Sequence, residues 1–293
     1  MSETDNLIQP FHLNGREVRG RIVRMGGLAH DIISRHALEP APAALLGEAL
    51  ALASMVGSAL NFDGVFTMQT DGDGPAGLIV CDYRSRGDLR GYVRVKEVDD
   101  PKGAGGTLLG RGSMALTIDR EGDGQRYQGV VELQGDDLSG CVEHYFRQSE
   151  QIPTLFRAVC GHGPDGRWRV GGLMLQSLPK DRDEDKAAED WNTAETLART
   201  VKAQELLDLS LPAKDLLYRL FHEDGVWVHD PEPLHDRCTC SAERVVEVVQ
   251  RFPVEEIEDL VDESGKVSVT CKFCSRTYGF EPYELTRGGE GMA

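Results

Sequence analysis

Positive charge is scarce in this 293-residue chain: 32 Lys and Arg stand against 49 Asp and Glu, for a formal net charge of −17. A surface of that sign repels phosphate, so nucleic acid and anionic membranes are not expected partners. No long apolar run is present either. The most apolar stretch, Ala43–Leu60, is Ala-rich, contains Gly47, Glu48 and Gly57, and falls short of the about 20 residues that span a bilayer. It is predicted to be a buried helix. The opening residues, MSETDNLIQPFHLNGREV, have no basic segment followed by an apolar one. No secretory signal is expected, and the expected location is cytoplasmic. Catalytic signatures are missing too. There is no GxSxG, and His222-Glu223 begins an HExxH that Val226 breaks. Gly72–Gly77 matches GxGxxG literally, but Pro75 lies inside it and a strand, not a helix, follows, so it reads as a hairpin turn. The chain is not expected to be an enzyme.

What is present is unevenly placed. Of the 33 glycines, 27 lie in residues 1–180, whereas 181–293 hold 26 acidic residues against 13 basic ones. Arg16–Met25 is a strand-like run with Val18, Ile22 and Val23, and from Val65 short β-type runs, Val65–Thr70, Leu78–Tyr83, Leu89–Val95, Ser113–Asp119, Tyr127–Leu133 and Trp168–Leu175, alternate with Gly-rich turns. Helical spacing is confined to Gly27–Leu38, Pro40–Leu60 and Asp137–Ser149. Strands with segregated helices indicate an α+β body over 1–178. Pro179–Asp190 is a charged break. Two helices are predicted after it, Asn192–Leu209 and Pro212–Glu223, with a modest apolar stripe amid many charges. Residues 179–230 therefore read as a linker of marginal packing. From 231 a small module follows, with a helix Ser241–Phe252 capped by Ser241 and two short strands around residues 271–274.

Four of the seven cysteines fall in that module, as Cys238-Thr-Cys240 and Cys271-Lys-Phe-Cys274. Two close pairs of thiolates suit a tetrahedral Zn²⁺ with metal–sulfur bonds of about 2.3 Å, and paired spacing in a cytoplasmic protein points to metal or redox chemistry. A purely structural zinc remains a rival. A disulfide closed within the C-x-C pair would form a very small, strained and readily reversed ring, which favours a switch. Structural zinc contributes on the order of 10 kcal/mol, so a module this small would not survive its loss. His235 reads as an ordinary surface histidine because four cysteines already fill the site. Cys81, Cys141 and Cys160 read as small buried hydrophobes.

At these cysteines, and at Asn61–Gly64, Gln69–Pro75, Arg126–Val131, Tyr145–Thr154, Gly171–Leu178, Leu217–Glu223, Arg237–Arg244 and Cys271–Phe280, the chain resembles the redox-regulated heat-shock protein 33 family, the 33 kDa chaperonins. The resemblance spans nearly the whole chain. It implies an ATP-independent holdase that is zinc-bound and inactive when reduced. Oxidative stress would then form the disulfides Cys238–Cys240 and Cys271–Cys274, release zinc, unfold the 231–293 module and loosen the 179–230 linker. The implied partners are unfolding client proteins, a downstream foldase system and, when oxidised, a second copy of the chain. The linker offers Trp191, Leu197, Val201, Leu206, Leu207, Leu216, Leu217, Leu220 and Phe221 as candidate client-binding residues, or the sheet face they cover.

Three other functions compete. A zinc-ribbon protein that binds nucleic acid conflicts with the acidic balance of 181–293. An enzyme with a structural zinc lacks a catalytic constellation. A thiol–disulfide oxidoreductase using Cys271 and Cys274 lacks the expected βαβ surroundings.

Overall fold

A computed structural model of the chain describes residues 5–96, 108–122, 124–133, 137–178 and 184–286. They form an α+β protein of two compact units, 1–236 and 237–293. The tail beyond 286 lies outside the described residues, as does the first part of the charged break predicted at Pro179–Asp190.

The first unit opens with β1 (Leu7–Leu13), β2 (Val18–Met25), α1 (Gly27–Ser34) and α2 (Pro40–Ala59). Then come β3 (Gly64–Gly72), β4 (Leu78–Arg84), β5 (Asp88–Arg94), β6 (Gly112–Arg120), β7 (Arg126–Glu132) and α3 (Leu138–Tyr145). A π-helical turn, Phe146–Glu150, leads to β8 (Thr154–His162) and β9 (Trp168–Ser177). Next are α4 (Glu184–Arg199), α5 (Ala203–Leu207), α6 (Ala213–Phe221) and three short strands, β10 (Val226–Val228), β11 (Glu232–Pro233) and β12 (His235–Asp236).

The strands make two sheets. One runs β10-β1-β2-β9-β8, with β11 also paired to β1; the other runs β12-β5-β4-β3-β6-β7. The glycine-rich Gly72–Gly77 segment is the turn between β3 and β4, where Gly72 N–H donates to the Gly77 carbonyl at 3.2 Å. Helix α2 packs against β4 and β5 of one sheet and β8 and β9 of the other. It is hydrophobic all round because it is buried all round. Among the described residues it alone is long and apolar enough to cross a membrane, and 72% of its apolar window is buried inside this core.

Strand β9 is covered on both faces. Val170 and Met174 belong to the core around α2, while Leu173 and Leu175 belong to a second core with Phe11, Leu13, Val18, Ile22 and Leu155. The cover of that second face is α4, α5 and α6 with the turn between the first two, through Ala194, Ala198, Val201, Leu206, Leu216, Leu217 and Phe221. Gly171 and Gly172 serve this double packing. A side chain at Gly171 would collide with the Leu206 backbone, and one at Gly172 would sit 2.8 Å from Met55 Cε.

Polar groups also hold the cover. Arg24 of β2 is 1% exposed, and its guanidinium donates to the carbonyls of Glu205, at 3.0 Å, and Asp208 at the C-terminal end of α5. Arg16, in the β1–β2 turn, bonds Asp190 of α4 at 3.1 Å and Asp224, just past α6, at 2.6 Å.

Several elements differ from the sequence-based expectation. β1 was not among the expected strands, and it contains Pro10, which cannot donate to a ladder. It survives because β10 pairs with Phe11–Leu13 and β11 with Leu7–Ile8, leaving Pro10 in the gap between them. The predicted helix 192–209 is two helices, and the first starts earlier, at Glu184. The chain tightens at Leu197–Val201, then restarts at Lys202, whose backbone N–H donates to the Glu205 carboxylate at 2.9 Å. Strands β10 to β12 are too short to show a period and exist through their partners.

Two predictions follow from this packing. Phe221→Ala should lower stability by about 3–5 kcal/mol in urea titrations and raise hydrogen exchange in α4–α6 before the α2 core; uniform loss of protection would refute the separate cover. The second concerns Glu48 of α2, whose carboxyl is pushed up to about 7 by burial and, next, by the Asp137 charge. A raised carboxyl favours the native state fully below its unfolded value, and that advantage is lost as pH rises through about 7. Glu48→Gln should therefore stabilise the protein near pH 8, by on the order of 1–3 kcal/mol, and hardly at all near pH 4.5. Equal effects at both pH values would contradict it.

Candidate functional site

The second unit contains α7 (Ala242–Val249), α8 (Val254–Glu258), β13 (Val267–Thr270), β14 (Thr277–Phe280) and α9 (Pro282–Thr286). Its buried core is small: Val249, Ile257, Val267, Phe280 and Leu285. So few buried side chains leave a unit of this size short of the apolar burial that independent folding requires.

Two loops carry the cysteines. Cys238 and Cys240 lie in an extended segment that runs into α7, whose N-terminus Ser241 caps by accepting the Arg244 N–H at 3.3 Å. The Arg244 guanidinium reaches back to donate to the Thr239 carbonyl, between the two cysteines, at 2.7 Å. Cys271 and Cys274 occupy the turn joining the antiparallel pair β13–β14. That turn closes through Ser275 N–H to the Cys271 carbonyl and Cys271 N–H to the Arg276 carbonyl, both 2.9 Å, with Ser275 in the left-handed region at φ 56°.

The two loops bring all four sulfurs within 4.8 Å of one another. Cys238 Sγ lies 3.8 Å from Cys271 Sγ, and Cys240 Sγ lies 3.4 Å from Cys274 Sγ. Tetrahedral zinc with bonds of about 2.3 Å places its ligand sulfurs about 3.8 Å apart, so the donor set and its spacing fit such an ion. The short contacts run between the two loops, so a shared ion would cross-link them.

The electrostatics of the four sulfurs are compatible with a cation among them. Burial opposes the Cys240 thiolate, but hydrogen bonds, first from the Tyr278 hydroxyl and then from Cys274, Cys238 and Cys271, outweigh it and bring the thiol down to about 7. Cys274 moves the other way, up to about 12, through burial and then its bond to Cys240 and the Cys238 charge. One sulfur ionises at another's expense. Holding all four as thiolates takes a positive charge in their midst.

His235 is not part of this cluster; it lies in β12, where its N–H donates to the Gly87 carbonyl at 2.9 Å. Cys81 and Cys141 are fully buried, and burial pushes Cys81 upward. Half-buried Cys160 is pushed up to about 12 by burial and then by the Glu48 charge.

The candidate client-binding residues lie away from the cysteines in sequence and close to one another in space. Val201, Leu206, Leu216, Leu217 and Phe221 are buried in the second core, and Trp191, Leu197 and Leu220 pack on its margin. Leu207 is half-buried beside Gly161, where a Cβ would meet its Cδ1 at 3.2 Å. Sequence reasoning missed Arg244 and Tyr278. Both lie within four residues of a cysteine, one on the capped helix turn and one on the adjoining strand, and that proximity was the available signal.

Comparison with known proteins agrees with this layout. The family model described as Hsp33 protein matches residues 6–281. A 33 kDa chaperonin of Caulobacter vibrioides is 39% identical over 288 residues, covering 95% of each chain. One from Cronobacter sakazakii is 39% identical over 269 residues, covering 92% of this chain and 89% of the relative. The crystal structure of the 33 kDa chaperonin (heat shock protein 33 homolog) of Thermotoga maritima superposes with a TM-score of 0.80 at 25% identity. That match covers 96% of this chain and 97% of the other.

Proposed function

The chain belongs to the Hsp33 family, and from that premise we propose that it is a cytoplasmic, redox-regulated, ATP-independent holdase chaperone. The observation that carries the reading is the four-thiol cluster, built between two loops of a unit whose described residues bury a core of five side chains. Functionally the chain divides into a chaperone body (1–178), a metastable linker (179–230) and a redox-switch module (231–293).

In the reduced protein Cys238, Cys240, Cys271 and Cys274 hold Zn²⁺. When bound, the ion keeps the sulfurs as thiolates and cross-links the two loops. A two-electron oxidant such as hydrogen peroxide turns the pairs Cys238–Cys240 and Cys271–Cys274 into disulfides, each pair giving up two electrons. Oxidation removes the ligands and with them the metal. The module then unfolds, because the lost contribution, on the order of 10 kcal/mol, exceeds what its small core supplies.

Loosening of the linker exposes apolar surface. Trp191, Leu197, Val201, Leu206, Leu207, Leu216, Leu217, Leu220 and Phe221, together with the face of β1, β2, β8 and β9 they cover, then bind apolar segments of unfolding proteins. The many carboxylates of the linker keep the opened form in solution. Oxidised copies pair, and clients pass to a foldase system when reducing conditions return. The net charge of −17 supports a role apart from nucleic acid and membranes.

The test is one experiment with three readouts. Reduced, zinc-loaded protein should contain one zinc per chain, show four fewer free thiols and no zinc after peroxide with mild heat, and only then suppress aggregation of a thermally unfolding protein. Full chaperone activity in the reduced, zinc-loaded form would overturn the switch. So would a fully oxidised, zinc-free protein without activity.

A further inference from the structure

One polar group beside the thiols has no role in the switch as described so far. Tyr278, in β14, places its hydroxyl 3.2 Å from Cys240 Sγ. The ring is fixed from two sides: it stacks on Phe280 of the module core, with centroids 6.4 Å apart and planes at 17°, and its backbone is paired with Val269 of β13. A metal-held thiolate carries no proton and only accepts, so between these two atoms the Tyr278 hydroxyl is the donor.

We propose that Tyr278 is a positioning residue of the redox switch, whose hydroxyl donates to the Cys240 thiolate and slows that sulfur's reaction with oxidants. The proposal rests on the zinc-thiolate reading above. A hydrogen bond to a thiolate draws negative charge off the sulfur and orients it toward its metal, as outer hydrogen bonds do for metal ligands generally. It also opposes the reaction with peroxide, in which the sulfur gives up electron density. In that step the Cys240 sulfur attacks one peroxide oxygen, the O–O bond breaks, hydroxide leaves and a sulfenic acid forms. The Cys238 thiolate then attacks that sulfur, the S–S bond forms and a second hydroxide leaves. Two sulfurs have lost two electrons and one peroxide has gained them. A bond that lowers electron density on Cys240 raises the oxidant level at which this sequence begins.

The test uses the full chain with Tyr278→Phe, which keeps the ring and its stacking and removes only the hydroxyl. The variant should still bind one zinc per chain. Under peroxide it should release zinc about three to ten times faster than the native protein, read with a chromogenic chelator. In the cobalt-substituted forms its sulfur-to-metal charge-transfer band should move to lower energy, a shift that a merely structural role would not produce. Equal release rates and equal bands would overturn the proposal. Should Tyr278→Phe fail to take up metal, 3-fluorotyrosine at position 278 decides: its more acidic hydroxyl is a stronger donor of nearly the same shape and should slow release, and no slowing overturns the proposal. A native protein that binds no zinc, or keeps it under peroxide, overturns the zinc reading itself and this inference with it.

Discussion

The structure depends on a sheet that must be covered on both faces. Strand β9 sends Val170 and Met174 to one side and Leu173 and Leu175 to the other, and neither set can face water without loss of the core it belongs to. The two covers are physically different. Helix α2 is 20 residues long, buried on nearly every side and held between two sheets. The opposite cover is three helices of 16, 5 and 9 residues, with no second sheet over them among the described residues of this unit. Helices this short do not persist in water by their own propensity. They exist because the sheet face is there to receive them, and the face stays dry because they are there.

The attachments of that cover have the same conditional character. Arg24 is a cation buried in an apolar face, tolerable because the last carbonyls of α5 accept its protons. Arg16 ties α4 to the segment after α6 through Asp190 and Asp224, both largely shielded. These bonds are made by largely shielded groups, so each contributes more than an exposed pair would. The cover is held by polar contacts as well as by apolar ones.

The parts that were legible in sequence are those with a long period or a tight spacing. The β-type runs Val65–Thr70 and Leu78–Tyr83 gave β3 and β4, helical spacing in an Ala-rich apolar stretch gave α2, and C-x-C with C-x-x-C gave the thiol cluster. The elements that were not legible owe their form to partners far away in sequence. β1 carries a proline that is harmless only because two different strands flank it. β12 is two residues long and is a strand because Asp88 and Leu89 lie beside it. The break between α4 and α5 follows from the capping at Lys202 and from Arg24, 178 positions earlier, waiting at the end of α5. Tyr278 was hidden for another reason. Its contact with Cys240 depends on the twist and register of a four-residue hairpin, which no spacing rule encodes.

The strap from Val226 to Asp236 links these levels. It leaves the end of α6, pairs with β1 through β10 and β11, and crosses to the other sheet to pair with β5 through β12. Its last residue, Asp236, is held by Arg35 of α1, and Cys238 follows two positions later. The chain therefore passes from the helical cover toward the first cysteine along a path stitched to both sheets, each stitch only two or three residue pairs long. Short antiparallel and parallel pairings of that length have little stability of their own. Their persistence depends on the larger elements beside them: β1 and β5 supply the pairing partners, docked α6 fixes where the strap begins, and Arg35 holds its end through Asp236.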